Sequence, residues 1–446
     1  MRIAFLGDTH YCIPRETTGP RRAPGGLPDN QRYTPMTDSV LQPLLAQVRV
    51  ATPDLVISSG DFVEGGLSAN PTAARREMEE GLAFFTDLHL PFLIARGTHD
   101  APDLFAELAV PAIGRSPGRT FAETYFHHDV GECAFLVLDY QHFAVSNAQD
   151  VWLEAQLADA AQAGRRIFVV AHAPVYLWGR HFFGDPALIR RLDVLFSAYP
   201  VEAYFCGHTH NQIVSFHARQ SRQGWLQLMG SSVGYAAMPG QPLEQTHSLA
   251  DFGPDNTYLW GIGEDSAPGL FLLDLSANGM FLSWQSVGGA QREFATEGLR
   301  EATTCRAPVA KPSVLAPEDF LQIKSAVLGV FSYSGNTPAG EVALNGVPLG
   351  PLPANCSYAA RRFLTVPGEA LTTIGEQNTV TVRTPDLPAF AIGSFLLELT
   401  LLDGRTVRSR VAPEILVAGD RRQTFPGQRQ LKPCTPGQKT DVSLSF

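Results

Sequence analysis

Ile3-Ala4-Phe5-Leu6-Gly7-Asp8-Thr9-His10 is the stretch from which the fold is read. Four apolar residues in a row describe a short strand covered on both faces. The glycine behind them permits a sharp exit and a close backbone approach, and an aspartate and a histidine follow at once. The arrangement recurs further on. Leu55 to Ser59 runs into Gly60-Asp61, and Phe92 to Ala95 leads to Gly97-Thr98-His99-Asp100. Ile167 to Val170 runs into Ala171-His172-Ala173-Pro174, and Ala203 to Cys206 into Gly207-His208-Thr209-His210. Ala134 to Leu138 reads as one more strand. Helical stretches fall near Ser39 to Val50, from Arg75 to about Leu88 and from about Asp150 to Ala163. Strands alternating with helices predict a layered α/β core, with β-sheets flanked by helices. In such a core the loops beyond the strand ends converge on one edge, where ligands bind.

Taken singly, each stretch has an ordinary reading. A Gly-Asp at a strand end is a turn, and a lone histidine is a satisfied or surface residue. Five such stretches in succession, each behind a strand, are harder to explain by turns alone. Together they bring Asp8, Asp61 and Asp100, with His10, His99, His172, His208 and His210, to one edge. Mixed imidazole and carboxylate donors suit Zn, Fe or Mn, and not Ca or Mg alone.

On these residues the chain resembles the calcineurin-like metallophosphoesterases, whose ordered pattern is DxH, GD, GNH[DE], H and GHxH. The match spans roughly residues 3 to 210, with the supporting sheet continuing to about 290. The resemblance implies that Asp8, His10 and His210 hold one metal, that His172 and His208 hold a second, and that Asp61 bridges them. It places His99 toward the substrate, with Asp100 orienting its ring. It implies two divalent or transition-metal ions (Mn, Fe or Zn) as cofactors. The implied reaction is hydrolysis of small phosphate esters, phosphodiesters first, by a metal-activated hydroxide. Two cations roughly 3.5–4 Å apart can lower the pKa of a shared water and clamp the phosphoryl oxygens. A nearby imidazole can protonate the leaving oxygen, and a carboxylate on its other nitrogen fixes its tautomer.

Two positions depart from the family. Thr98 stands where the pattern has asparagine, whose amide carbonyl reaches the second metal. A threonine hydroxyl is shorter and a poorer donor, so Thr98 is expected to weaken that position, as a ligand or through a water. Glu64 stands where the purple acid phosphatases carry a metal-binding tyrosine, and their first motif lacks the equivalent of His10. The chain looks closer to the bacterial phosphodiesterase-like branch.

The remaining sequence sets the frame. At 446 residues the chain is too long for one ordinary core. The texture changes after about Arg300, where Pro308, Pro312 and Pro317 punctuate a linker. Beyond it, short β-rich runs (Ala326 to Tyr333, Glu341 to Leu344, Thr379 to Val382, Phe395 to Leu402) and the turn signal Asn345-Gly346 predict an all-β, sandwich-like domain. The expected division is therefore 1–300 and 310–446. The second part loosely resembles the jelly-roll modules that accompany carbohydrate-active enzymes.

A net charge of −10 argues against long nucleic acid as a partner. No signal peptide or membrane span is visible in the sequence, which predicts a cytoplasmic protein. The six cysteines are scattered without a CxxC pair, and Cys133 and Cys206 read as buried apolar residues. Arg180 and His181 are candidate substrate-binding residues, with a solvated loop as the plainer reading. The stretch Gly234 to Gly263 is long enough to form a lid. Two other classes stay open: a catalytically weak scaffold acting as a binding protein, and a glycan-surface protein working through its β domain. The sequence leaves the oligomeric state open.

Overall fold

The structure, a computed structural model, describes residues 1–13, 37–63, 71–115, 120–140, 147–175, 186–208, 210, 212–218, 224–231, 233, 257–264, 268–276, 279–289, 291–295, 315–333, 340–352, 362–387, 390–409, 412, 414–418 and 431–446. Arg180, His181, Glu64 and most of the Gly234–Gly263 stretch lie outside them.

The opening apolar run forms β1 (Arg2–Leu6), buried from Ile3 onward. It pairs in parallel with β2 (Leu55–Ser58), which pairs in parallel with β3 (Phe92–Ile94). On its other side it pairs antiparallel with β11 (Gly269–Ser276), followed by β12 (Gly279–Ser286) and β13 (Gln291–Ala295). A second, seven-stranded sheet contains β4 (Phe126–Val130), β5 (Cys133–Val137), β6 (Arg166–Val170), β7 (Val201–Cys206), β8 (Gln212–Ala218), β9 (Trp225–Met229) and β10 (Thr257–Glu264). Its order is β10-β8-β9-β7-β6-β5-β4, and β5, β6, β7 and β9 run parallel.

The two sheets face each other across an aromatic core. Phe5 of β1 meets Phe205 of β7 edge-on at 5.0 Å between ring centres, and Phe135 stacks on Phe168 at 5.3 Å. Along the second sheet successive residues divide between two cores. Phe135, Val137, Phe168, Val170 and Phe205 look toward the first sheet. Ala134, Leu136, Ile167, Val169 and Tyr204 belong with Leu153 and Leu157 of helix Asn147–Gln162 and with Leu192, Leu195 and Phe196 of helix Pro186–Ala198. Both faces are covered, which is why these strands read as unbroken apolar runs. The first sheet is covered likewise by helices Gln42–Ala51 (Leu44, Leu45, Val48) and Pro71–Thr86 (Met78, Leu82, Phe85). The layering is helix, sheet, sheet, helix, the α/β core that the alternation predicts.

The later part of the chain forms two further sheets around their own core, antiparallel except for the parallel pair Ile415–Ala418 and Leu431–Pro433. One holds β14 (Ile323–Tyr333), β17 (Arg362–Thr365), β19 (Phe390–Leu401), β20 (Thr406–Arg408), β21 (Ile415–Ala418) and β22 (Leu431–Pro433). The other holds β15 (Glu341–Leu344), β16 (Val347–Pro351), β18 (Gln377–Arg383) and β23 (Lys439–Ser445). Leu328, Val330, Leu397 and Leu399 from the first meet Val342, Val380, Val382, Val442 and Leu444 from the second. Asn345 and Gly346 link β15 to β16 with φ of 50° and 85°. Two positive φ values in a two-residue loop match the right-handed twist of a hairpin, and Asn-Gly adopts them at least cost.

Candidate metal centre

The five motif loops lie at the ends of strands from both sheets. β1, β2 and β3 deliver Asp8 and His10, Asp61, and Thr98 to Asp100. β6 and β7 deliver His172 and the pair His208 and His210. The parallel ladders continue past the strand ends. Ser59 N–H donates to the Leu6 carbonyl, Ala95 N–H to Ser58, Ala171 N–H to Phe205 and Gly207 N–H to His172. Each ligand loop is thereby anchored to its neighbour before it turns away.

Two overlapping groups of donors result. Asp8, His10, Asp61 and His210 each offer an atom within 4.8 Å of the others, and so do Asp61, His172 and His208. Asp61 belongs to both. His10 Nε2 and His210 Nε2 face each other at 3.1 Å, and His172 Nε2 faces His208 Nδ1 at 3.0 Å and Asp61 Oδ2 at 3.1 Å. His172 Nδ1–H donates to the Ser59 carbonyl at 3.1 Å, which leaves Nε2 with its lone pair toward the cluster. Asp8 Oδ1 is buried without a hydrogen-bond partner, and Asp8 Oδ2 lies 3.3 Å from His210 Nε2 while accepting His208 N–H at 2.7 Å. Convergent ring nitrogens and an orphaned buried carboxylate oxygen make a donor set that fits two cations.

The electrostatics point the same way. Burial pushes Asp8 up to about 6 against the pull of His172 and His10. Asp61 is also penalised by burial, but His172, His99 and His10 outweigh that and hold it well below the usual carboxylate range. Burial opposes charge on His172 too, yet Asp61 and Asp8 draw it up to about 9. Burial, reinforced by His172, presses His208 down to about 3. Protons here occupy places that cations would take, since ligands must be deprotonated to bind metal.

The backbone is strained around these residues. His10, Asp61, His208 and His210 have φ of 43°, 42°, 70° and 57°. Such values are uncommon outside glycine, cost roughly 1–3 kcal/mol each and cluster at functional sites. Glycines make room for the close approach. A Cβ on Gly207 would lie 1.9 Å from Asp8 Oδ1, and one on Gly97 would lie 2.0 Å from Asp61 N.

Asp100 and Thr98 tie neighbouring loops together. The Asp100 carboxylate accepts N–H bonds from Phe62 (2.9 and 3.2 Å), Val63 (3.0 Å) and Gly97 (2.8 Å). It clasps the loops after β2 and β3 together, and Asp61 Oδ1 returns the contact by accepting His99 N–H at 2.7 Å. The Thr98 hydroxyl donates to the Asp61 carboxylate, at 3.1 Å to Oδ1 and 3.3 Å to Oδ2. The His99 ring stands edge-on to His10, 4.7 Å between centres. Thr98 and His208 are half-buried while Asp8, His10, Asp61 and His210 are buried, so the group containing His172 and His208 lies on the open side.

Sequence reading missed the loop after β9. A Cβ on Gly230 would lie 2.5 Å from Gly7 Cα, and Val233 N–H donates to the Asp8 carbonyl at 2.7 Å. The first and second sheets touch here. The signal was the buried run Trp225 to Met229, apolar except for Gln227 and ending in Gly230-Ser231, which follows the pattern of the other loops but carries no proposed ligand.

Residues 1–212 match the family model of the calcineurin-like phosphoesterases. Tartrate-resistant acid phosphatase type 5 of Rattus norvegicus is 23% identical over 214 residues, covering 42% of this chain and 64% of that relative. The chain thus spans less than two thirds of that relative's length. Among solved structures, a dimetal phosphatase from Danio rerio aligns with TM-score 0.44 and 12% identity, covering 66% of this chain and 98% of that one. GAP50, the anchor in the inner membrane complex of Plasmodium, aligns with TM-score 0.44 and 18% identity, covering 71% and 98%. No helix among the described residues is long and apolar enough to cross a membrane.

Proposed function

We propose that this protein hydrolyses phosphate esters, phosphodiesters first, at a two-metal centre whose second position is weakened. The observation that carries this reading is the pair of donor groups sharing Asp61. Asp8, His10 and His210 would hold one cation, His172 and His208 the other, with Asp61 between them. Bound there, such cations supply Lewis acidity to phosphoryl oxygens and acidify a water for in-line attack; Mn, Fe and Zn fit the donors.

The chain's own residues do the rest. The buried group sets the floor of the site, and the half-buried side at Thr98 and His208 admits the ester. His99 stands beside His10 with its backbone tied to Asp61, where its imidazole can bond a phosphoryl oxygen or give a proton to the leaving oxygen. Thr98 spends its hydroxyl proton on Asp61, which supports a second position served by three side chains. Arg180 and His181 are retained as proposed contacts to the ester.

The test is hydrolysis of an aryl phosphodiester and an aryl phosphomonoester by chelator-stripped protein, with Mn²⁺, Fe²⁺ or Zn²⁺ added back. Restored turnover with the diester faster supports the proposal. Full activity without metal removes it, and a faster monoester moves the substrate to the phosphatase class.

A further inference from the structure

The donor groups come from two different sheets, so their spacing depends on whatever locks one sheet to the other. Some locks are made by the ligands themselves: His208 N–H to Asp8, and His172 Nδ1–H to Ser59. Another involves no proposed ligand. Arg96, directly before Gly97, sends its guanidinium across to Asp139, directly after Leu138. Nε donates to Asp139 Oδ2 and Nη2 to Oδ1, both at 2.7 Å, with the two side chains 6% and 3% exposed. Thr124 Oγ1 donates to the same Oδ2 at 2.7 Å. The buried Gln149 grips the Asp139 backbone on both sides, accepting its N–H at 3.0 Å and donating to its carbonyl at 3.1 Å.

Placement gives this pair its meaning. On the Arg96 side the next residues are Thr98, bonded to Asp61, and His99. On the Asp139 side, Leu138 N–H donates to the Val170 carbonyl, and two residues beyond Val170 stands His172. The ion pair thus ties the β3 loop to the edge that carries the open-side donors. A planar bidentate fork fixes both distance and angle. A buried ion pair contributes little net stability over an apolar pair of like volume, because desolvation offsets the attraction. Positional control is the remaining use.

We propose that Arg96 and Asp139 are positioning residues that hold the Thr98–His99 loop at its working distance from His172, and so set the separation of the two donor groups. This rests on reading those groups as a two-metal site.

The experiment pairs Arg96→Met with Asp139→Leu in one full-length variant, so that no buried charge is left alone. Mn²⁺ binding is followed by calorimetry, the coupling between two Mn²⁺ ions by electron paramagnetic resonance, and fold by thermal melting. The parent is expected to bind two ions with measurable coupling. The variant is expected to melt near the parent, keep the tighter ion, bind the second about tenfold more weakly and show altered coupling, with kcat about tenfold lower or more, since ångström-scale misplacement has effects of that order. Should the double variant not fold, Thr124→Val loosens the same carboxylate and is expected to shift the coupling in the same sense. Arg96→Lys, which keeps charge but not the fork, is expected to fall between. A variant that binds both ions with parental affinity, coupling and kcat overturns the positioning role alone. A parent that binds no metal overturns the two-metal reading and this inference with it.

Discussion

His99 and Thr98 are neighbours whose proposed roles are separable, and substitution can tell them apart. His99 is tied to the centre by its backbone N–H on Asp61, a bond that any side chain preserves. His99→Ala therefore removes the imidazole and keeps the backbone bond to Asp61. Turnover of a phosphodiester is expected to fall by roughly 10²–10⁴, the usual effect of losing a positioned acid or base, while metal content by elemental analysis stays at the parent's level. Substantial metal loss would show that His99 is a ligand. Thr98 acts through its side chain, which donates to Asp61 at 3.1 Å. Thr98→Asn lengthens the side chain by the group that carries an amide oxygen. The proposed second metal position is expected to tighten, and at limiting Mn²⁺ the variant is expected to outpace the parent, with the gap closing at saturation. If the parent already binds two ions tightly and the variant changes neither occupancy nor rate, Thr98 does not limit the second position.

At the scale of elements, the proposed centre depends on loops from two sheets approaching more closely than side chains normally allow. Gly230 against Gly7 is the clearest instance, since a Cβ there would meet backbone at 2.5 and 2.6 Å. Backbone cannot rotate aside as a side chain can. Gly230→Ala is expected to destabilise by about 1–3 kcal/mol, the usual range for overpacking, and to weaken metal binding because Val233, three residues on, holds the Asp8 carbonyl. Gly131→Ala is the control. It meets nothing within 4 Å but has φ of +56°, so it is expected to cost about 1–2 kcal/mol with metal affinity unchanged. Urea unfolding and Mn²⁺ titration of both variants decide the matter; equal metal affinity in all three proteins would refute the contact's role. The contrast also marks what sequence could reveal. β1 to β3 and β5 to β7 were legible because both faces are buried, and all but β5 end abruptly at a motif, as Leu6-Gly7-Asp8 does. Their division between two sheets was not, because a strand covered by a helix and one covered by another sheet look alike in one dimension. β8 to β13 carry no proposed ligand, and all but the nearly apolar β9 mix polar and apolar residues, so little singled them out. Asp100 was found by its motif position, but its grip on Phe62, Val63 and Gly97 is made through backbone N–H groups, which leave no trace in side-chain identity. Arg96 and Asp139 lie 43 residues apart, and only the folded chain pairs them.

For the whole molecule, the proposed division near residues 300 to 310 predicts two units that answer differently to metal. The aromatic core between the first sheets and the core around Leu328, Val342 and Val380 are distinct clusters, and every proposed ligand belongs to the part before Asn211. Among the described residues, the strand pairings of the first two sheets and those of the last two share no member. A cation that binds only the folded state stabilises it by RT ln(1 + [L]/Kd), about 2.7 kcal/mol at a hundredfold excess over Kd. That stabilisation belongs to the unit that holds the ligands. In differential scanning calorimetry the metal-loaded protein is expected to unfold in two transitions. Chelation is expected to lower one of them by several degrees, since about 1 kcal/mol moves a unit of 150–250 residues by roughly 2–4 °C. The other transition is expected to stay in place and to coincide with that of a fragment spanning residues 315–446. A fragment of residues 1–300 is expected to keep the metal-dependent transition and to bind Mn²⁺ with parental affinity, its solubility being checked first because truncation can bare apolar surface. A single transition that shifts as a whole on chelation would mean that the two units unfold as one. Loss of metal from a soluble, folded 1–300 fragment would place part of the support for the centre in the β domain, and the division near residue 310 would have to be abandoned.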